Sequence, residues 1–491
     1  MKHNYFIFLR IVLIVMMYTT IINQGLAQNF TEVLDTPFHG VKISSIAFAD
    51  VDGDGDQDVL MTGSGLDSNG PTTTSRLYLN DGTGIFTEVS NTPFVNVRDG
   101  AIAFADVNND GDQDVLITGY DHDVNLYNIT AVLYSNDGSG TFTEVTGTPF
   151  RGSEGVWGVQ YSSIAFADVT GNGAQDVLIA GFGFNGQRTA RLYTNDGVGN
   201  FTFVSTPFEG IYLGSIAFAD IDGDNDQDVL ITGAGSSLKA ISKLFINNGT
   251  GTFTEVSGTP FDPVHRSSIA FADIDADGDK DVLITGKASS GRISKLYSND
   301  GNGNFTLVTG TIFEGVDKSS IAFADIDGDN DQDVVITGLS NSGRISKLYT
   351  NNGEGVFVEV VGTPFMAVND GSIAFADVDG DNDPELLITG WADNTSGIAK
   401  LYNNDSANAL AIEEFKIAGF TIYPNPVKDQ LTINSNGLII NKIAVFDYTG
   451  KAVKNIIWSS NSINFSDLEV GLYFLQIKTD QGTIIKKLIK I

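Results

Sequence analysis

The sequence predicts an all-β protein: a seven-bladed β-propeller closed by its own N-terminal strand, followed by a small C-terminal β-sandwich. Three observations predict it. An aspartate-rich loop, "DVDGDGDQD" in its first copy, starts at Asp50, Asp106, Asp168, Asp220, Asp273, Asp325 and Asp377, at spacings of 56, 62, 52, 53, 52 and 52 residues. Each copy sits in one frame of four alternating stretches separated by turn residues. The seventh frame lacks its last stretch, and the start of the mature chain carries it.

The first 27 residues contain no acidic side chain. Lys2 and Arg10 precede an apolar run from Ile11 to Ile22, and Gly25-Leu26-Ala27 offers a small-residue cleavage site. This reads as a secretory signal peptide over 1–27. The run falls short of the ~20 residues that a spanning helix needs, and no later stretch could span as a helix. The exported chain has no cysteine, so no disulfide braces it.

Within each repeat the first strand reads like "SSIAFAD" (Ser44–Asp50), with apolar and polar residues alternating. The loop follows. The second strand is "DVLITG" or a variant, the third resembles "SKLYSNDG" (Ser294–Gly301), and the fourth is "FTEV" or a relative, ending near Thr-Pro-Phe. A period of two, β-branched and aromatic residues, and Asn-Asp-Gly turns all indicate strands. Four strands per ~50 residues, repeated, form a propeller blade. The seventh repeat stops at "AKLYNND" (Ala399–Asp405), whereas "NFTEV" (Asn29–Val33) stands alone at the start. Pairing the two closes the ring and removes its open edge. The Thr-Pro-Phe motifs are read as blade-edge packing.

The propeller is assigned to 28–408, a linker to 409–419 and a second domain to 420–491. Residues 28–411 carry 54 acidic and 17 basic residues; from Ile412 on there are 7 and 9. An acidic surface argues against nucleic acid and anionic membranes as partners. It leaves cations and neutral ligands. The seven loops alone hold 31 of the 61 acidic residues.

In a nine-residue frame, copy one places Asp50, Asp52, Asp54 and Asp58 at positions 1, 3, 5 and 9. Position 6 is glycine, or asparagine in copies four, six and seven. Both tolerate the left-handed backbone of a tight loop. Hard oxygen donors at this spacing suit Ca²⁺, which takes 6–8 oxygens. An EF-hand is excluded, because position 12 is Met61 and strands flank the loop. The same positions recur as Asp106, Asn108, Asp110 and Asp114; Asp220, Asp222, Asp224 and Asp228; Asp273, Asp275, Asp277 and Asp281; Asp325, Asp327, Asp329 and Asp333; and Asp377, Asp379, Asp381 and Glu385. Position 7, occupied by Asp56, Asp112, Asp226, Asp279, Asp331 and Asp383, can give a backbone carbonyl. Copy three has only Asp168 and Asp176 as carboxylates, with Thr170 and Asn172 between them, and is expected to hold an ion weakly or not at all. Up to six or seven Ca²⁺ sites are thus expected.

This loop and its strand frame, over about Asn29–Asp405, resemble the calcium loops of the FG-GAP/VCBS repeat family, which includes the integrin α-subunit propeller. The resemblance implies that these side chains are calcium ligands. The C-terminal strands are "FTIYPNPVKDQLTI" (Phe420–Ile433), "IAVFDYTGKAV" (Ile443–Val453), "LEVGLYFLQI" (Leu468–Ile477) and "GTIIKKLIKI" (Gly482–Ile491). They read as a sandwich. Tyr423-Pro424-Asn425-Pro426, the Asp447…Gly450-Lys451 turn, Gly471-Leu472-Tyr473 and the lysine-rich end resemble the C-terminal sorting domain of type IX secretion. That resemblance implies the type IX machinery as a partner. It also implies a secreted or cell-surface location in a Gram-negative bacterium.

No H-E-x-x-H, G-x-S-x-G or Walker loop occurs. "GFGFNG" (Gly181–Gly186) leads into a strand rather than a helix and reads as a hairpin connector. The two longest connectors, Tyr120–Asn128 and Arg151–Tyr161, lie on the face opposite the aspartate loops. Tyr120, His122, Trp157, Tyr161, Phe184, Tyr212 and Trp391 enrich that face in aromatics and form the candidate ligand face. The expected function is adhesion to, or binding of, an extracellular glycan or protein. The alternative is a calcium-dependent polysaccharide lyase, for which Lys239, Arg188, Arg151 and His122 are the candidate cations, although they form no evident constellation. A third reading is a structural surface-layer component.

Overall fold

The computed structural model describes residues 30–67, 70–121, 128–150, 158–183, 186–392, 397–404, 421–435, 440–447, 451–456, 462–479 and 483–491. The expected leader and linker lie outside them, as do Arg151, His122, Trp157 and Phe184. No α-helix occurs among the described residues. The chain divides into two units, 1–406 and 407–491.

The first unit is seven four-stranded antiparallel sheets. Blade four shows the pattern: an inner strand Tyr212–Ala219, a second strand Asp228–Ala234, a third Ala240–Asn247 and an outer strand Phe253–Glu255. Every residue of the second strand is buried. Its apolar run is continuous because neighbouring blades cover both its faces. The core is therefore shared between blades. Leu178, Ala180 and Leu192 of blade three pack with Ile216, Val229, Ile231 and Phe245 of blade four in one cluster. The outer strand of blade four buries one residue only, Phe253, and exposes the rest.

The Thr-Pro-Phe phenylalanines do pack at the blade edges. In each blade the ring sits about 5 Å from an aromatic of the third strand and from the first residue of the outer strand. Phe38 lies 5.1 Å from Tyr78 and 5.0 Å from Phe86; Phe313, whose copy reads Thr-Ile-Phe, lies 4.9 Å from Tyr349 and 5.1 Å from Phe357. Such edge-on pairs add about 0.5–1.5 kcal/mol each beyond their buried area.

Blade seven completes the ring as the offset repeats require. Phe30–Glu32 pairs with the third strand Gly397–Asn404, in the register Phe30↔Asn404 and Glu32↔Tyr402. Phe30 supplies the blade's missing aromatic, 4.9 Å from Phe365.

The second unit has a three-stranded sheet (Thr421–Tyr423, Gln430–Asn434, Ser462–Asn464) and a four-stranded one (Ile440–Asp447, Ala452–Ile456, Gly471–Thr479, Thr483–Lys490). Leu431 and Ile433 of the first and Ile443, Val445, Leu475 and Ile477 of the second share one core. This is the expected β-sandwich.

Ring closure makes Phe30 a keystone although it stands on the first described strand. Phe30→Ala should destabilise the propeller by about 3–5 kcal/mol, visible as a lowered thermal midpoint. Val361→Ala, at a position 84% exposed, should leave the midpoint within about a degree. Equal midpoints for the two variants would mean that the N-terminal strand does not hold the ring.

Candidate metal centres and a central funnel

The aspartate loop joins the inner and second strands, and its hydrogen bonds repeat from blade to blade. The position-1 carboxylate of Asp50 accepts the N–H groups of Gly53 and Gly55 at 2.8 and 3.0 Å. Asp54 accepts the N–H of Asp56 at 3.0 Å. Positions 4 and 6 both take a left-handed backbone, as at Gly53 (φ 76°) and Gly55 (φ 95°), or Gly223 (φ 77°) and Asn225 (φ 69°). This is why position 6 alternates between glycine and asparagine.

The position-9 carboxylate is nearly inaccessible: Asp58, Asp228, Asp281 and Asp333 are each 1% exposed and Glu385 is fully buried. Asp58 accepts the N–H of Val51, at position 2 of its own loop, at 3.0 Å. It also accepts the N–H of Asn80, at the end of the third strand, at 2.8 Å. The Asn80 side chain in turn donates to the carbonyl of Val378, at position 2 of the neighbouring blade's loop, at 2.8 Å. Asn136, Asn195, Asn247, Asn299, Asn351 and Asn404 make the same bond to the preceding blade at 2.7–2.9 Å. Seven such latches run round the ring. In the sequence these asparagines look like ordinary turn residues; their fixed place after the third strand was the available signal.

In five copies, carboxylates from positions 1, 3 and 9 converge, with oxygens within 4.8 Å of one another: Asp50/Asp52/Asp58, Asp220/Asp222/Asp228, Asp273/Asp275/Asp281, Asp325/Asp327/Asp333 and Asp377/Asp379/Glu385. In four of these a position-3 oxygen, from Asp52, Asp222, Asp275 or Asp379, is buried without a hydrogen-bond partner. Uncompensated buried carboxylates are costly, and a divalent cation fits such a donor set. Copies two and three differ. The Asn108 amide donates to Asp110 at 2.8 Å, and the Thr170 hydroxyl donates to Asp176 at 3.3 Å. These loops carry internal donors where the others set carboxylate against carboxylate. The position-7 side chains point elsewhere. A Cβ at Gly82, Gly138, Gly249, Gly301 or Gly353 would strike the carboxylate of Asp56, Asp112, Asp226, Asp279 or Asp331. These aspartates lie against the turn between the third and outer strands, whereas Asp383 is buried.

Burial raises the position-9 groups most: Asp58 and Asp281 to about 6, Asp228 to about 7, Asp333 and Glu385 to about 8. Hydrogen bonds from positions 2 and the latch asparagine act against the shift, and the carboxylates at positions 3 and 5 add to it.

A second feature lies on the axis. In five blades the first residues of the inner strand form a β-bulge, as between Tyr212 and Ser215; in the other two the same stretch precedes the strands Ile102–Ala105 and Ile373–Ala376. In every blade one residue of this stretch is left-handed: Ile43, Asp99, Tyr161, Leu213, Arg266, Lys318 and Asp370, with φ between 48° and 55°. For Ile43 that conformation is an outlier. Backbone bonds tie several of these residues to the next blade, including Asp99 N–H to Ile43 O at 3.3 Å and Asp370 N–H to Lys318 O at 3.1 Å. All seven line one cavity of about 520 Å³. It opens at the start of the inner strands, away from the aspartate loops.

Of the candidate ligand face, Tyr161, Tyr212 and Trp391 line this funnel. Tyr120 lies beneath the Arg98 guanidinium, at 5.3 Å. Of the candidate cations, Arg188 stacks on Tyr212 at 5.1 Å, and Lys239 is exposed in a turn. Sequence reasoning missed the charged lining: Arg98, Asp99, Arg266, Lys318 and Asp370. The signal was present. Between the Val or Ile and the Ser/Gly-Ser/Ala-Ile-Ala-Phe of each repeat stand two residues whose pair is never repeated, from Lys42-Ile43 to Asn369-Asp370; only Asp99 and Asp370 match within a column. Lys318 pairs with Asp370 at 2.7 Å and Arg98 with Asp99 at 3.7 Å. Burial pushes Asp99 up to about 6, with Arg98 opposing and Asp370 adding.

Ring, loops and tail together define an exported repeat propeller built on acidic strand-connecting loops. Family models state the class more narrowly. An FG-GAP-like repeat model matches residues 50–117, 106–179, 168–231, 220–284, 273–336 and 325–388, each span running from one aspartate loop past the next, and the chain belongs to that family. Residues 421–491 match the secretion system C-terminal sorting domain, which marks the protein for type IX secretion to the cell surface or beyond in a Gram-negative bacterium. No helix among the described residues is long and apolar enough to cross a membrane. No curated protein matches the chain. Among solved structures it is similar to PorZ, a surface component of the type IX secretion system of Porphyromonas gingivalis. The identity is 14% and the TM-score 0.43, over 88% of this chain and 58% of that one. It is also similar to a Trypanosoma rangeli sialidase (11%, TM-score 0.37, 90% and 88% covered) and to AofleA of Arthrobotrys oligospora (11%, 0.36, 68% and 89%). The chain thus spans 58% of the length of the PorZ structure.

Carboxylates raised on folding bind more protons in the folded than in the unfolded chain, between about pH 4 and their folded values. Stability of the metal-free protein should therefore fall as pH rises from about 5 to 8. A thermal midpoint measured on metal-stripped protein at both ends of that window checks this. A midpoint that rises toward pH 8 would contradict the geometry of the position-9 sites.

Proposed function

We propose that the protein is a calcium-loaded ligand-binding module, displayed on or released from the cell surface, whose ligand sits in the axial funnel. One observation carries the reading. Seven repeats keep a common frame yet disagree at the two columns that meet on the axis. A scaffold whose copies differ where they converge presents a unique surface there. Adhesion to a glycan or protein is the corresponding role.

Calcium suits the loops because the donors are hard oxygens on a flexible frame, whereas magnesium prefers stricter octahedral sites and retained water. Positions 1, 3, 5 and 9 would hold it with side chains, and position 7 with its backbone carbonyl. Its contribution would be charge neutralisation at each loop. The five three-carboxylate loops are the strongest candidates, and the loops at Asp106 and Asp168 the weakest. At ~1 mM extracellular calcium, a site with a dissociation constant of ~0.1 mM gains about 1.4 kcal/mol on occupancy.

A lyase remains the second reading, because Tyr161 stands beside Arg98 and Arg266 in the funnel. Burial and the Asp99 charge raise its phenol above the ordinary value, which opposes the proton abstraction that elimination needs. Binding is the better supported role.

Calcium should raise the thermal midpoint of the metal-stripped full chain by well over 5 °C, and Asp222→Asn with Asp275→Asn should remove part of that rise. A midpoint indifferent to calcium would reduce the loops to acidic turns. Incubation with a polysaccharide panel separates the two roles: retention without new unsaturated chain ends supports binding, and their growth supports the lyase.

A further inference from the structure

The funnel's charges can be read one by one. Its lining carries three cations, Arg98, Lys318 and Arg266, and two anions, Asp99 and Asp370. Lys318 and Asp370 neutralise each other at 2.7 Å, and Asp370 also accepts the Asn369 amide at 2.7 Å. Arg98 and Asp99 face each other at 3.7 Å, too long for a hydrogen bond. Arg266 is exposed and has no hydrogen-bond or ion-pair partner among the described residues. A cavity in a strongly acidic protein thus keeps one net positive charge, and that charge belongs to Arg266, the lining cation with no ion pair among the described residues.

Two further observations concern what else the cavity asks for. Asp99 is 9% exposed, and no hydrogen-bond donor to its carboxylate occurs among the described residues. A mostly buried carboxylate without protein donors can take them from a ligand rich in hydroxyl groups. Beside it, the rings of Tyr161 and Tyr212 lie 6.4 Å apart, edge to face. Tyr161 is 38% exposed. Its phenol feels the charges of both Asp99 and Arg266, so the three side chains form one arc of the wall. An aromatic flank, a hydroxyl-accepting carboxylate and a planar cation together match a ring that is apolar on one face, polyhydroxylated at its edge and singly anionic.

We propose that the funnel binds a uronic acid unit of an acidic polysaccharide, its carboxylate on Arg266, its hydroxyls on Asp99 and its ring against Tyr161. This rests on the axial-ligand reading above and names the ligand's chemistry. The guanidinium fork accepts a carboxylate through two parallel hydrogen bonds, which a lysine at the same place would not reproduce. The acidic loops lie at the far end of the inner strands, well beyond a Debye length of about 8 Å, so their charge does not cancel the local field at Arg266.

The test uses the calcium-loaded full chain and calorimetry with oligomers of polygalacturonate, alginate and hyaluronan, each beside its methyl-esterified form, which keeps the skeleton and removes the charge. At least one acid should bind, its ester at least ~10-fold more weakly. Arg266→Gln should weaken the acid by the same factor and leave the ester unchanged. Arg266 is exposed, so this variant is expected to fold, and an unchanged thermal midpoint confirms it. If acid and ester bind alike and Arg266→Gln is silent while Tyr161→Ala abolishes both, the funnel is the site and the carboxylate assignment is wrong. If none of the three uronans binds, the assignment is overturned, and a neutral-glycan or protein ligand sensitive to Tyr161→Ala would still uphold the axial site. Binding of a ligand that ignores both variants would sink the axial site as well.

Discussion

Three parts of the propeller meet at one buried carboxylate per blade. The position-9 side chain holds the position-2 N–H of its own loop and the N–H of its own latch asparagine. The latch side chain holds the position-2 carbonyl of the blade before it. Both backbone polar groups of the position-2 residue are therefore fixed, its N–H within the blade and its carbonyl across the blade interface. Hydrogen bonds to a charged acceptor contribute about 1.5–3 kcal/mol each, and a buried partner left unmade costs at least as much as its desolvation. Repeating the unit seven times ties loop conformation to ring closure: a loop that opens releases its own hairpin and its neighbour's latch together.

That coupling explains why a destabilising charge cluster is retained. Two carboxylates ~4 Å apart repel by roughly 4 kcal/mol at an effective dielectric near 20. Five loops bring three together, and in four of them a position-3 oxygen faces no donor. The loops at Asp106 and Asp168 show the other solution, an amide or hydroxyl inside the cluster. The same backbone is thus reached with and without internal donors. What the five acidic loops gain over the two is an unmet demand for positive charge, and it sits where the blade interface is fixed.

The ring was legible in the sequence because its signals are local. Alternation, turn residues and the displaced "FTEV" strand all lie within one repeat length, and a strand's pattern follows from which of its faces are covered. The glycine or asparagine at position 6 was legible for the same reason, since one backbone angle demands it. The latch was not, because Asn247 and Val169 are far apart in the chain and nothing in "INNG" separates a turn residue from an inter-blade donor. Where the position-7 side chains go was not legible either: they lie against the turn glycine that follows the third strand, which only the fold brings beside the loop. The funnel lining escaped because divergence at Ile43, Asp99 or Arg266 looks like noise until the repeats are superposed about an axis.

The two ends of the inner strand divide the work. The bulge stands at one end and the aspartate loop at the other, seven residues apart between Ile43 and Asp50, or about 23 Å at the usual rise per residue. No group at the loops reaches the funnel across that span. The strand between them is locked in register to a fully buried neighbour, so it transmits no graded movement, and a one-residue slip would turn its apolar face to solvent. A cation at the loops would therefore act on recognition only by setting the fraction of molecules whose ring is closed. The seven left-handed residues at the other end are strained, and backbone bonds to a neighbouring blade hold several of them, Ile43, Asp99, Tyr161, Lys318 and Asp370. The side chains lining the funnel thus stand on a backbone that the ring fixes, so they can differ between blades without moving it.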